Sequence, residues 1–404
     1  MMLEKKALYG FLVALCLGGY PVLAAISAAT GLPNYLLSMS VRSIMVVIGL
    51  TLFLTYRFRD SDCHIYFYAF SAFWIFYVLR IFSDTTAVPA VLSKPADYYW
   101  VFAIGGSLLP VLGLWALRTE DSIDSAFKFA LPIMAVGGLI VALLGGVAVV
   151  SDSGAEYDSG RLRLDALNPI SVGHFGASLA ILSGWGVAVV RGGGSWVTGK
   201  MFCIFGMGLG LYLLLASASR GPLVAFLFVV LVLCFALDIR RMLIAVPIFA
   251  LVGVAMFAVA QQFQADGQFA LLSRVIDSRG GDDASVSARL IAFHGGWNQF
   301  LDNPFFGSGL EERQTGTYPH SVIIEAFMAT GLVGGAVFLA MIIKSLVFSW
   351  NLLASRSRYG WVALIFIQYF VGTQFSGAIY GSTTFWAFMV ILLAGLGFKV
   401  AKVT

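Results

Sequence analysis

Long apolar runs broken by short polar punctuation dominate the chain. The strict alternation that marks half-buried strands is missing, so a membrane-spanning barrel is not expected. A helix that crosses a bilayer needs about 20 mostly apolar residues. Twelve stretches answer to that description, at 7–28, 35–56, 64–84, 98–117, 129–150, 169–190, 201–217, 221–238, 242–261, 319–345, 360–379 and 384–399. The pattern predicts an all-α polytopic integral membrane protein of about 12 transmembrane helices, built as a single membrane domain over 1–404. Most connections are short, but 262–318 forms a loop of about 57 residues between the ninth and tenth spans. Loops longer than about 15 residues usually carry a function. The first apolar run follows Lys5 and Lys6, as in a signal peptide. At about 20 residues it is longer than the 7–15 of such a core, so a retained first span is expected.

Composition removes the soluble alternatives. Of the 404 residues, 59% are hydrophobic and only 11% are charged. Soluble domains carry about 25% charged residues, and this chain has too few to cover a water-facing surface. Basic residues then set the orientation. With both termini cytoplasmic, the inner connections hold fifteen Lys and Arg and the outer ones eight: Lys94, Arg161, Arg163, Arg220, Arg274, Arg279, Arg289 and Arg313. Arg42 and Arg80 are left inside spans. The long loop falls on the outer side, which is periplasmic if the membrane is a bacterial inner membrane. Cys16, Cys63, Cys203 and Cys234 have no spacing that suggests a metal site or a disulfide.

The outer basic set is almost entirely Arg, and this narrows the chemistry. No nucleotide-binding Gly-rich loop ending in Lys-Ser/Thr occurs. An enzyme on the outer face would then draw its driving force from an activated substrate such as a lipid-linked sugar diphosphate. Guanidinium forks match phosphate oxygens with paired hydrogen bonds. The alternative is that these arginines touch lipid headgroups. Pro319 and His320 stand where the tenth span is expected to begin. A first-turn His320 would meet the partial positive charge of a helix N-terminus. That charge favours a bound phosphate and a neutral imidazole able to act as general base. Gly331 lies eleven residues on, about three turns, and is expected on the same face with Gly334 close by. Glu325 is expected to need a partner, an Arg being one possibility. His174 and His294 are read either as packing or surface residues or as substrate contacts. Asp282 and Asp283 are read as an exposed turn.

The run Asn303-Pro304…Gly307-x-Gly309, the pattern His320-Ser321…Gly331-x-x-Gly334 and the turn Ser219-Arg220-Gly221 together resemble the O-antigen ligase/polymerase family. Ser287-Ala288-Arg289…Trp297 and Arg163…Asn168-Pro169 are similar to further stretches of it. Residues 150–340 carry the resemblance. The positions four residues after Arg220 and Arg289 are Val224 and Phe293 rather than Leu, which leaves ligase and polymerase both open.

The resemblance implies an inverting, metal-independent glycosyltransferase that needs no cofactor. Its donor would be a glycan on undecaprenyl diphosphate and its acceptor lipid A–core, or a second lipid-linked glycan for a polymerase. A non-enzymatic lipid or polysaccharide transporter is the reading from a different class. On the ligase reading, His320 activates the acceptor hydroxyl, while Arg220 and Arg289 grip the diphosphate. Arg161, Arg163, Arg274, Arg313, Tyr318 and Ser321 are candidate substrate contacts. Arg289 opens an amphipathic stretch with Phe293, Trp297 and Phe300 about a turn apart, suited to lying on a membrane surface. Membrane lipid is an expected partner and nucleic acid is not.

Overall fold

The computed structural model describes residues 2–55, 63–86, 92–116, 120–147, 162–164, 166–189, 196–236 and 284–396. Every expected span that falls among the described residues contains a helix. These are α1 (Met2–Thr30), α2 (Asn34–Thr55), α3 (His64–Thr86), α4 (Ala96–Ala116), α5 (Glu120–Leu144), α6 (Pro169–Val189), α7 (Trp196–Ala216) and α8 (Arg220–Ala236). After α9 (Ala284–Asp302) come α10 (Val322–Ala354), α11 (Gly360–Ser376) and α12 (Thr383–Ile391). Eight of these helices are long and apolar enough to cross a membrane, and α8 and α12 are shorter apolar helices. The chain is an all-α polytopic membrane protein. The ninth span expected at 242–261, the first part of the long loop, and Asp282 and Asp283 lie outside the described residues.

Leu54, Leu143 and Phe235 are among the most exposed side chains. Outward apolar surface of this kind suits a lipid solvent. The interior is dense with aromatic rings: Trp386 lies 5.0 Å from Trp74, 5.5 Å from Phe338 and 5.6 Å from Phe73, ring centre to ring centre. Small residues let helices close in. A side chain on Gly176 of α6 would come within 2.6 Å of the Gly210 carbonyl oxygen on α7, the kind of backbone approach that holds membrane helices together.

Three elements depart from the expected pattern. α5 begins at Glu120 rather than at 129, because its charged first turn is helical too. Gly145 ends that helix, and Gly146–Val147 (β1) pairs antiparallel with Leu162–Arg163 (β2), a hairpin the apolar pattern did not announce. α4 is also irregular, with a π-helical stretch over Val101–Leu108 and a 3-10 turn over Gly113–Ala116.

Candidate active site

The segment between α9 and α10 folds back on α10 and is tied down by its own backbone. Glu312 N–H donates to the Thr317 carbonyl at 2.8 Å, closing a turn. The Glu312 carboxylate accepts from Gln314 N–H at 2.8 Å and from Thr315 N–H at 2.7 Å. Arg313 sits exposed in that turn, and its N–H donates to Gln299 Oε1 of α9 at 3.1 Å. Glu311 is buried, and its Oε1 accepts from Tyr99 OH at 2.5 Å and from Ser93 Oγ at 2.7 Å.

α10 is broken at Gly331, whose φ of 66° and ψ of −163° are open essentially to Gly alone. The break frees backbone groups that a helix would pair, and the loop takes them up. Ser308 N–H donates to the Met328 carbonyl at 2.9 Å, and Leu332 N–H to the Pro304 carbonyl at 2.6 Å. Arg80 of α3 completes the junction. Its Nε donates to the Ala329 carbonyl at 2.8 Å, and its Nη2 donates to the carbonyls of Phe306 at 3.0 Å and Gly307 at 2.9 Å. Asp84, one turn on, accepts from Leu310 N–H at 2.7 Å. The intramembrane Arg80 is thus a clamp on Asn303-Pro304…Gly309.

The expectation that Gly331 shares a continuous helical face with His320 is therefore corrected, because the helical phase is lost between them. His320 is also outside the helix. Ser321 is the N-cap of α10 with extended geometry (φ −133°, ψ 118°), and its Oγ accepts from Ile324 N–H at 3.5 Å. The Ser321 hydroxyl donates to Gln374 Oε1 near the end of α11 at 2.8 Å. His320 precedes the cap with φ 59°, a left-handed conformation uncommon for a residue with a side chain. Its Nδ1 is buried and has no hydrogen-bond partner among the described residues. The Tyr318 ring stands 4.5 Å from the imidazole. Burial first, and the nearby Arg289 guanidinium second, lower the His320 pKa from 6.5 to about 4. The helix N-terminus expected to hold the ring neutral is replaced by these two causes. Tyr318 is pushed up by burial, with Arg289 pulling the other way.

His320, Tyr318 and Arg289 are therefore brought together from α9 and the α10 approach. Arg220 opens α8 after a tight turn in which Ala218 has φ 46°. Next to it, Gly221 faces Phe375 of α11, with 3.7 Å from the position of a Cβ to the Phe375 Cβ. Gln374, which holds Ser321, is the preceding residue, so Arg220 and His320 belong to the same end of the bundle. Arg163 is exposed on β2 and Arg313 in its turn. Among the described residues neither is hydrogen-bonded or ion-paired to His320 or Tyr318. Arg161 and Arg274 lie outside the described residues. α9 is the helix expected around Arg289, with Phe293 and Trp297 exposed along it, whereas Phe300 is buried, 5.2 Å from the Phe327 ring of α10. His294 is exposed on the same helix.

Glu325 is fully buried, and the proposed Arg partner is not what it has. Its Oε1 accepts from Tyr77 OH at 2.6 Å and its Oε2 from Ile379 N–H at 2.8 Å. A neutral donor pair on α3 and at the α11–α12 turn meets the need that a buried carboxylate creates. Neither Gln374 nor Arg42 was among the candidate site residues expected from the sequence. Gln374 gives no signal of its own, whereas Arg42, a charge within a span, did.

Residues 205–339 match the family model described as O-antigen ligase. The matched stretch runs from α7 into α10 and contains Arg220, Arg289, His320, Gly331 and Gly334, and it supports the O-antigen ligase/polymerase family. A comparison with curated proteins finds no match. Glycosyl transfer of the ligase/polymerase type is the function this match supports.

Proposed function

We propose that the chain is an O-antigen ligase, an inverting and metal-independent glycosyltransferase of the bacterial inner membrane. It moves glycan from undecaprenyl diphosphate to a hydroxyl of lipid A–core at the periplasmic end of the bundle. The observation that carries the reading is the state of His320. Burial and the Arg289 guanidinium lower its pKa, and its buried Nδ1 has no hydrogen-bond partner among the described residues.

A buried polar atom left unpaired costs about 1–3 kcal/mol, and a substrate hydroxyl in reach would relieve it. The neutral imidazole accepts the hydroxyl proton as the acceptor oxygen attacks the anomeric carbon. The bond from that carbon to the diphosphate oxygen breaks on the opposite face, which inverts the configuration. Its electron pair leaves on undecaprenyl diphosphate. Arg289 and Arg220 meet the negative charge that grows there. The same diphosphate favours the imidazolium that forms, since an anion nearby raises a histidine pKa. Tyr318 and Ser321 flank the base. Arg161, Arg163, Arg274 and Arg313 are proposed as outer contacts for phosphate or sugar.

The test is transfer by the purified chain in lipid, given undecaprenyl-diphosphate-linked glycan and lipid A–core. The expected products are glycan-bearing lipid A–core and undecaprenyl diphosphate. Glycan joined only to another lipid-linked glycan would identify a polymerase instead. Movement of the donor across the bilayer without bond exchange would remove both enzyme readings.

A further inference from the structure

A cavity of about 440 Å³ lies between α1, α2, α4, α6, α11 and the start of α12, with Tyr318 in its wall. The Tyr318 ring stands 4.5 Å from the His320 imidazole. Arg42 lines the cavity from α2, eight residues past Asn34. That is about 12 Å along the helix, within the span. The guanidinium carbon sits 4.0 Å above the Phe102 ring on the π-helical part of α4. Among the described residues, Arg42 has no ion pair and no hydrogen bond. An arginine in a span without a counter-charge, facing a polar hollow, marks a binding path.

The rest of the wall is aromatic and polar. Tyr98 stacks on Phe102 at 4.3 Å, and Tyr20 and Tyr98 line the cavity with Arg42. His174 lines it from α6, its ring stacked 5.6 Å from Tyr369, with a buried Nδ1 that has no partner among the described residues. Gly372 makes room for that imidazole, since any side chain there would run into it. Guanidinium forks recognise phosphate and carboxylate, and the apolar faces of pyranose rings stack on aromatic rings.

We propose that this cavity receives an anionic saccharide as the acceptor, its phosphate or carboxylate on Arg42 and its ring among Tyr20, Tyr98 and Tyr318. The assignment rests on the transferase reading above. There the diphosphate of the donor belongs to Arg220 and Arg289, and the group that touches the base must be the acceptor hydroxyl. Tyr318 joins the Arg42 cavity to that base.

The test uses the full chain in nanodiscs and core oligosaccharide in three forms: native, phosphatase-treated and carboxyl-reduced. Calorimetric binding to the wild type is expected to weaken roughly tenfold or more when the recognised anion is removed. The form that loses affinity tells phosphate from carboxylate. Arg42→Gln is expected to bind all three forms equally weakly, and Arg42→Lys to keep part of the preference. In the transfer assay, Arg42→Gln is expected to raise the KM for acceptor while the KM for donor stays. Equal wild-type affinity for all three forms overturns the proposal, as does an Arg42→Gln protein that keeps the preference. The wild-type comparison decides alone if the variant does not fold. Binding needs no transfer. Anion-selective, Arg42-dependent binding without transfer sinks the transferase reading and leaves the cavity assignment. Transfer without anion selectivity does the reverse.

Discussion

The peptide of Phe305 occupies the place where a side chain on Gly331 would stand, in direct contact with the Phe305 carbonyl and the Phe306 nitrogen. Two distant parts of the chain are joined here backbone to backbone, and the break in α10 exists to admit the turn. Gly331→Ala meets both a forbidden backbone geometry and this contact. The geometry alone costs about 1–3 kcal/mol. Thermal unfolding in detergent is expected at lower temperature than for the wild type, with transfer reduced because the segment that leads to His320 starts from this junction. Unchanged melting would show that α10 tolerates a straight path here.

Arg80→Met removes the donors to Phe306, Gly307 and Ala329 while keeping the length of the stem. A hydrogen bond from a charged donor contributes about 1.5–3 kcal/mol, less where water can replace it. The expected result is a less stable protein with earlier proteolysis near Phe305 and Phe306, both exposed. A wild-type cleavage pattern would contradict the clamp.

His320→Ala is expected to lower transfer by about a hundred- to ten-thousandfold, the usual contribution of a general base. Insertion and melting should be retained, because Ser321 and not His320 caps α10. Near-normal turnover would end the base assignment.

The acid limb of kcat/KM reports the free-enzyme base. With the His320 pKa lowered to about 4, the ring is neutral throughout the range from 5 to 8, and the limb is expected near pH 4. Removing the charge in Arg289→Gln takes away one of the two causes of that lowering. The limb should then move up, yet stay below the ordinary 6.5 because burial remains. The stability effect has the same sign. A folded-state pKa below the unfolded one binds fewer protons, so this group's contribution fades as pH falls from about 6.5 toward 4. A limb at 6.5 in the wild type would mean that His320 is solvated.

Arg220→Lys keeps the charge and loses the planar fork. If Arg220 grips diphosphate, transfer should fall about tenfold or more. A headgroup contact would survive the exchange with little change, so near-normal kcat/KM would reassign this residue to lipid.

Apolar runs dictated the helices, because a bilayer leaves the backbone few other ways to pair its polar groups. His320, Arg220 and Arg289 were legible as candidates for a related reason: a charge-poor chain makes each outer polar residue conspicuous. The break at Gly331 was not legible, since the helical pattern continues through it and only the incoming Phe305 peptide requires it. Nor was the role of Glu325, whose partners Tyr77 and Ile379 come from opposite ends of the chain, or that of Arg80 as a backbone clamp. Patterning along the chain reports which residues face apolar surroundings. Which carbonyl an arginine reaches, as Arg80 reaches that of Ala329, depends on contacts between segments hundreds of residues apart, and only the packed structure decides those.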